Sequence, residues 1–204
     1  MIGRLVIAAT FLALVVGPAL AQNPPADARV RIRGTVEKLD GNTLLVKSRD
    51  GQSMTVTLAP DFTVSGVAKK SLSDIKAGDF IASTSVKGTD GKLHALEVHF
   101  LPANLRARIE GQTPTDLVPN ALMTNAVVSG IAATNDGQVL NVAYKGSEAA
   151  IVVGPDVPVV AYVPGDAGLL KPGAAVFMIA IKKPDGSLTA ARVTAEKDGV
   201  KPPM

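Results

Sequence analysis

Ile75-Lys76-Ala77-Gly78, followed after one strand length by Asp90-Gly91-Lys92-Leu93-His94-Ala95-Leu96-Glu97-Val98, is written twice in this chain. The second writing is Leu170-Lys171-Pro172-Gly173 and then Asp185-Gly186-Ser187-Leu188-Thr189-Ala190-Ala191-Arg192-Val193. The offset is 95 residues, and it holds without a gap back to Gly51 and Gly146, through Pro60-Asp61 and Pro155-Asp156. Upstream it becomes 96: Gly34 matches Gly130, Gly41 matches Gly137, Leu44 matches Leu140 and Val46 matches Val142. The one-residue step falls near Asp50, in a turn, where an insertion is cheapest. A fixed offset held over this length marks a duplicated structural unit.

Each copy reads as short strands. Val30, Ile32 and Val36 alternate with Arg31, Arg33 and Thr35, the period-two pattern of a half-buried strand. Asp40-Gly41-Asn42 is a hairpin turn leading to Leu44 and Val46, and Asp50-Gly51 turns the chain into Met54, Val56 and Leu58. After Pro60-Asp61 a short strand is expected around Thr63–Val67, then a single helical turn over Ser71–Ile75. Strands Phe80–Val86 and Leu93–Phe100 follow, joined at Asp90-Gly91. The expected fold is all-β: two tandem small OB-like barrels, each of five to six strands plus one helical turn, with a β-sandwich as the alternative. The expected organisation is a first repeat at 29–101, a connector at 102–125, a second repeat at 126–198 and a tail at 199–204. In the connector, Leu105–Glu110 suits one helical turn, and the rest is an ordered strap or a hinge.

The doubled block, with Gly34-Thr35-Val36-Glu37-Lys38-Leu39-Asp40-Gly41-Asn42-Thr43-Leu44-Leu45-Val46, resembles a family of exported bacterial OB-like domains of unknown function. The resemblance covers nearly all of the chain beyond residue 28. It implies a fold but carries over no catalytic or binding residue, because its motifs are turn and core positions. Some similar two-copy proteins carry the label of metal-transporter permease; a permease needs several spans, and none is readable after the first 21 residues.

Those 21 residues read as an address. Arg4 precedes an apolar run from Leu5 to Val16, Pro18 breaks it, and Ala19-Leu20-Ala21 supplies small residues before Gln22. This is the form of a secretory signal cleaved after Ala21, with a short N-terminal segment at 22–28, and it places the protein in the periplasm. Cleaving 21 of 204 residues leaves 183 and takes Arg4, so the net charge of +3 becomes +2. With no Cys there is no disulfide framework and no thiolate chemistry. The hydrophobic content, 47%, excludes a disordered chain.

Catalysis finds no foothold in this pattern. No serine elbow is present, and Asp40, Asp50, Asp90, Asp136 and Asp185 sit beside glycine in turns, as Asp61 and Asp156 sit beside proline. The two histidines, His94 and His99, both lie on the last strand of the first copy. Strand parity places His99 beside Glu97, two metal ligands where a structural zinc site uses four, and His94 on the other face with Leu96, Val98 and Phe100. The plain expectation for His99 is an exposed strand histidine, with Glu97 and His99 as a weak metal candidate and no cofactor.

The fuller lead is basic. Arg29, Arg31 and Arg33 share a strand face, and Lys47 and Arg49 share the outward face of the next strand. In the second copy Ser129, Ile131 and Ala133 face outward instead. Residues 29–101 carry eleven Lys/Arg against eight Asp/Glu, whereas 126–204 carry seven against seven. The plain reading is a solvated face. The functional reading is a site for an unknown protein or an anionic envelope component. Nucleic acid is not expected, since strand binders of this fold stack bases on aromatics and this face has none. Ala174–Ile181 is apolar on both faces, which calls for cover from within the molecule, or for weak self-association of an otherwise monomeric protein through the second repeat. The sequence therefore expects a non-enzymatic periplasmic binding or structural adaptor, or alternatively a ligand binder for metal or an anionic envelope component linked to envelope stress or metal handling.

Overall fold

The computed structural model describes residues 28–135 and 137–202. The signal-peptide reading of 1–21 and the turn residue Asp136 lie outside them. The fold is all-β, with twelve strands among the described residues: β1 (Arg29–Asp40), β2 (Thr43–Ser48), β3 (Ser53–Lys70), β4 (Phe80–Lys87), β5 (Leu93–Phe100), β6 (Gly111–Pro114), β7 (Leu122–Thr134), β8 (Gly137–Tyr144), β9 (Ser147–Val153), β10 (Val159–Gly165), β11 (Ala175–Lys182) and β12 (Leu188–Ala195). The helical pieces among the described residues are single turns at Leu72–Asp74, Ala103–Leu105, Arg106–Ile109 and Ala167–Leu169. The turn at Leu72–Asp74 falls where Ser71 and Asp74 predict it, because Ser71 caps the Ser73 amide and the Asp74 carboxylate accepts from the Ser71 amide.

The pairing of strands departs from a tandem arrangement. One ring runs β12-β11-β1-β2-β3 and closes through a parallel β12–β3 pairing. The other runs β5-β4-β7-β8-β9 and closes through a parallel β5–β9 pairing. Both follow the strand order of an OB-type barrel, and the β-sandwich alternative falls away. Each ring, however, takes three strands from one repeat and two from the other. The expectation of one barrel per repeat is thus corrected: the repeats exchange their last two strands. The cores are mixed accordingly. In barrel one Ile32, Val36, Leu44, Val46, Val56 and Leu58 pack with Leu170, Val176, Met178 and Val193. In barrel two Ile75, Ile81, Leu93 and Val98 pack with Val128, Leu140, Val142, Ile151 and Val153.

The cause lies in β3. The short separate strand expected after Pro60-Asp61 is instead the far half of one 18-residue strand, about 60 Å long at a rise of about 3.3 Å per residue. Pro60 is tolerated because β12 skips that stretch, stepping from Leu58 to Thr63, so no ladder donor is required there. Asp61 therefore lies within a strand, exposed, rather than in a turn. So long a strand overshoots its own barrel and delivers Ser71 and the next two strands, β4 and β5, to the other one. The second repeat has Gly154 and a further proline, Pro158, around its Pro155-Asp156, and its strand breaks there into β9 and β10.

The overshooting halves pair with each other. β3 and β10 run antiparallel from Val64↔Gly165 to Lys70↔Val159, with Val67 opposite Tyr162. Val67 and Tyr162 are matched positions, 95 apart, so a pseudo-twofold axis passes through this pair. The connector is an ordered strap: β6 pairs with the start of β7, the Asn125 side chain donates to the Ile109 carbonyl (2.8 Å), and Glu110 accepts from the Lys145 amide (3.1 Å).

Matched positions need not have matched surroundings. A Cβ at Gly34 would run into the Lys47 carbonyl and the Val46 side chain, whereas one at Gly130 meets only Asn141, at 3.6 Å. Gly34→Ala should therefore destabilise by about 1–3 kcal/mol, and Gly130→Ala should be neutral or gain about 0.5 kcal/mol. Urea unfolding of both variants checks this; equal effects would refute it.

Candidate functional site

The outward faces of the two barrels meet beside the pseudo-axis in a cleft of about 280 Å³. Barrel two supplies Thr84, Glu97 and His99, and barrel one supplies Arg31, Arg33, Phe177 and Ile179, with Tyr162 of β10 between them. The two leads from the sequence, the arginine face and the Glu97/His99 pair, thus converge on one place.

A β-bulge sets the barrel-two wall. Thr84 pairs with Glu97 but Ser85 pairs with Ala95, so Leu96 is the extra residue. The bulge reverses strand parity: Leu93 and Ala95 join Val98 in the core, while Glu97 and His99 face outward. His94 does not share the face of Val98 and Phe100 as parity alone predicts; it lies outside and contacts the Asp90 carboxylate at 3.0 Å. The exposed-histidine expectation for His99 is also corrected. His99 and Glu97 are each only 6% exposed, because barrel one, Tyr162 and the strap cover their face.

The buried groups form a short polar chain. Thr84 Oγ1 donates to Glu97 Oε1 at 2.6 Å, and His99 Nδ1 and the Tyr162 hydroxyl are 2.8 Å apart. His99 Nε2 lies 3.4 Å from Glu97 Oε1 without the alignment of a hydrogen bond. Burial alone would raise the Glu97 carboxyl, but His99, the Thr84 hydroxyl and the Arg33 charge outweigh it and hold its pKa below the usual range. Burial, and then the Glu97 charge, push the Tyr162 phenol up to about 12, so it remains a neutral hydroxyl.

Arg33 is not part of a solvated face. Its side chain is 11% exposed, lies over the Phe177 ring at 5.2 Å and donates through Nη2 to Asp116 of the strap at 3.0 Å. Arg31 Nε lies 3.8 Å from the same carboxylate. Burial opposes ionisation of Asp116, but the two arginines prevail and lower its pKa. Arg33 Nε is buried without a partner. Arg29 lies in an adjoining groove, and Lys47 and Arg49 are exposed, outside the lining of the cleft. The five cations predicted as one face are therefore divided among three environments. The outer face of β11 is likewise only part covered: Phe177 is packed under Arg33, but Ile179 remains 46% exposed.

Thr84, Asp116, Tyr162 and Phe177 are site residues that the sequence did not single out. Tyr162 had one usable signal, being one of two tyrosines in the chain and standing where the first repeat has Val67. Among the described residues no group of three or more His, Asp or Glu side chains is arranged to hold a metal ion, so Glu97 and His99 remain a pair. No described helix is long and apolar enough to cross a membrane. Comparison of the chain with family models, curated proteins and solved structures finds no match.

Proposed function

We propose that this is an exported, non-enzymatic binding or adaptor protein of the periplasm whose ligand or partner seats in the cleft between the barrels. One observation carries the reading: the cleft gathers and buries polar and charged side chains whose matched positions about the Val67–Tyr162 pair carry unlike chemistry. Glu97 stands against Arg192, His99 against Thr194, Thr84 against Ile179 and Ala82 against Phe177. Fold maintenance gives no reason to bury a carboxylate, an imidazole and a guanidinium together and to leave Arg33 Nε and His99 Nε2 without partners. The reading as binding is supported by the hydrogen bonding, since the Thr84 hydroxyl donates to the carboxylate rather than to the imidazole and no hydroxyl–imidazole pair forms.

The test is photo-cross-linking in periplasmic extract, with the reactive group placed at Thr113 on the rim of the cleft or at Thr43 on barrel one, outside its lining. Adducts are expected from Thr113 alone and should be lost in Arg31→Glu, a substitution at a half-exposed side chain. An adduct pattern indifferent to Arg31, or equal from both positions, would refute the reading.

A metal is the second reading, favoured by one distance. Two zinc ligands at about 2.0–2.1 Å in tetrahedral geometry stand about 3.3–3.4 Å apart, and His99 Nε2 and Glu97 Oε1 are separated by 3.4 Å. Zinc calorimetry on the protein and on His99→Ala decides it; identical isotherms would remove zinc from consideration.

A further inference from the structure

Next to the cleft, the outer face of barrel one carries a second depression of about 480 Å³, within the size range of small-molecule sites. Its chemistry follows from the register of β1 on β11, which sets Arg29 opposite Ile181, Arg31 opposite Ile179 and Arg33 opposite Phe177. A row of cations thus runs beside a row of apolar side chains. Arg29, Arg108 and Arg192 border the depression, no carboxylate lines it, and none of the three has an ion-pair partner among the described residues. Its apolar part is Phe177, Ile179 and Ile181, and Ile179 is the most exposed large hydrophobic among the described residues.

We propose that this groove binds a single-chain amphiphile with one anionic head group, of which a long-chain carboxylate is the simplest. The arginines are placed for the head: guanidinium pairs carboxylates through charge-assisted bonds and tolerates apolar neighbours better than an ammonium does. The Phe177–Ile179–Ile181 row takes the chain, and covering Ile179 removes exposed apolar surface from water. The occupant is a single molecule rather than a bilayer surface. Phe177 and Ile181 are half-buried within a depression, where one chain reaches them and a flat membrane face does not. This groove is a different site from the cleft, although Phe177 and Ile179 border both.

The experiment measures binding of a dansylated undecanoate to the purified protein below its micellar concentration, with displacement by dodecanoate, dodecanol or dodecyltrimethylammonium. Saturable one-site binding is expected, with dodecanoate the strongest competitor and affinity falling as salt rises. Arg29→Gln/Arg192→Gln should weaken binding about tenfold or more, and so should Ile179→Ser. All three positions are exposed, and an unchanged thermal midpoint shows that the variants fold. His99→Ala should leave the affinity unchanged. No saturable binding, equal competition by the alcohol or the cation, or indifference to both groove variants would overturn the proposal. Loss of binding in His99→Ala alone would overturn it too, assigning the probe to the cleft and leaving the cleft reading intact. Sedimentation with phosphatidylglycerol vesicles that outcompetes the monomeric probe would replace the single chain by a membrane surface.

Discussion

A chain cut between Pro119 and Asn120 is expected to remain one particle. Both residues are exposed in the strap, so a protease site inserted there can be cleaved in the folded protein. The cut separates the two repeats, but each barrel holds strands from both: β11 and β12 complete the ring begun by β1, β2 and β3, and β4 and β5 complete that of β7, β8 and β9. The fragments share two cores and the β3–β10 ribbon, an interface of the obligate kind, which runs above about 2,000 Å². They should co-elute at the mass of the intact protein in native buffer and part only under denaturant. If each repeat closed its own barrel, the same cut would release two folded domains of about half the mass, and recovery of those domains would refute the exchanged topology. Hydrogen exchange gives a finer readout. Leu140→Ala, a core truncation costing about 2–5 kcal/mol, should deprotect β4 and β5 of the other repeat along with its own β7, β8 and β9, since Leu140 packs in their shared core.

The exchange is also the feature least legible from sequence. Val36, Leu44, Val46, Val56 and Leu58 are readable as core because period-two alternation reports which face is buried. It does not report by what. The strand that covers β1 is Phe80–Lys87 in a tandem arrangement and Ala175–Lys182 in the exchanged one. The repeat makes these two strands near-equivalents, so propensity, pattern and turn chemistry are satisfied either way. The one local clue was Pro60, which reads as a break by rule. It breaks nothing, because β12 leaves that stretch unpaired. The second copy, with Gly154 and two prolines, does break. It nonetheless sends β11 and β12 across as the first copy sends β4 and β5, so the exchange does not turn on the break and no local motif reports it.

The site was half legible for a related reason. Alternation along a strand puts Glu97 with His99 and Arg31 with Arg33, and all four line the cleft. Their burial and their meeting come from packing between barrels, a long-range relation that a strand's own periodicity does not encode. The bulge at Leu96 is similarly silent in sequence, since it inserts no glycine and no proline. Asp116 was hidden because it belongs to a connector with no repeat partner against which to notice it.

Removing the Glu97 carboxylate is expected to produce the largest loss of stability of any single change in the cleft. Glu97→Ala takes away the acceptor of Thr84, the close polar neighbour of His99 and the negative charge that faces Arg33, all within a buried site. Breaking a buried pair from one side costs on the order of 3 kcal/mol, because the remaining polar groups stay buried without compensation. Glu97→Gln separates charge from shape by keeping an acceptor for Thr84 while losing the ionisable group. Since the folded protein holds the Glu97 pKa below its ordinary value of 4.5, the charge contributes stability that is complete above that pH. The contribution is then lost as pH falls through the folded value, where native and unfolded states are both protonated. Other carboxylates act in the same direction, notably Asp116 against Arg31 and Arg33, so the wild-type acid response is a sum. The difference between wild type and Glu97→Gln isolates Glu97. Urea unfolding at pH 7, 5, 4 and 3 should show Glu97→Gln less stable at pH 7 and 5, with the two proteins converging toward pH 3. No gap at any pH, or a gap that does not narrow across that range, would mean that the Glu97 charge adds nothing to stability. The cleft would then have lost the electrostatic asymmetry on which its reading as a binding site rests.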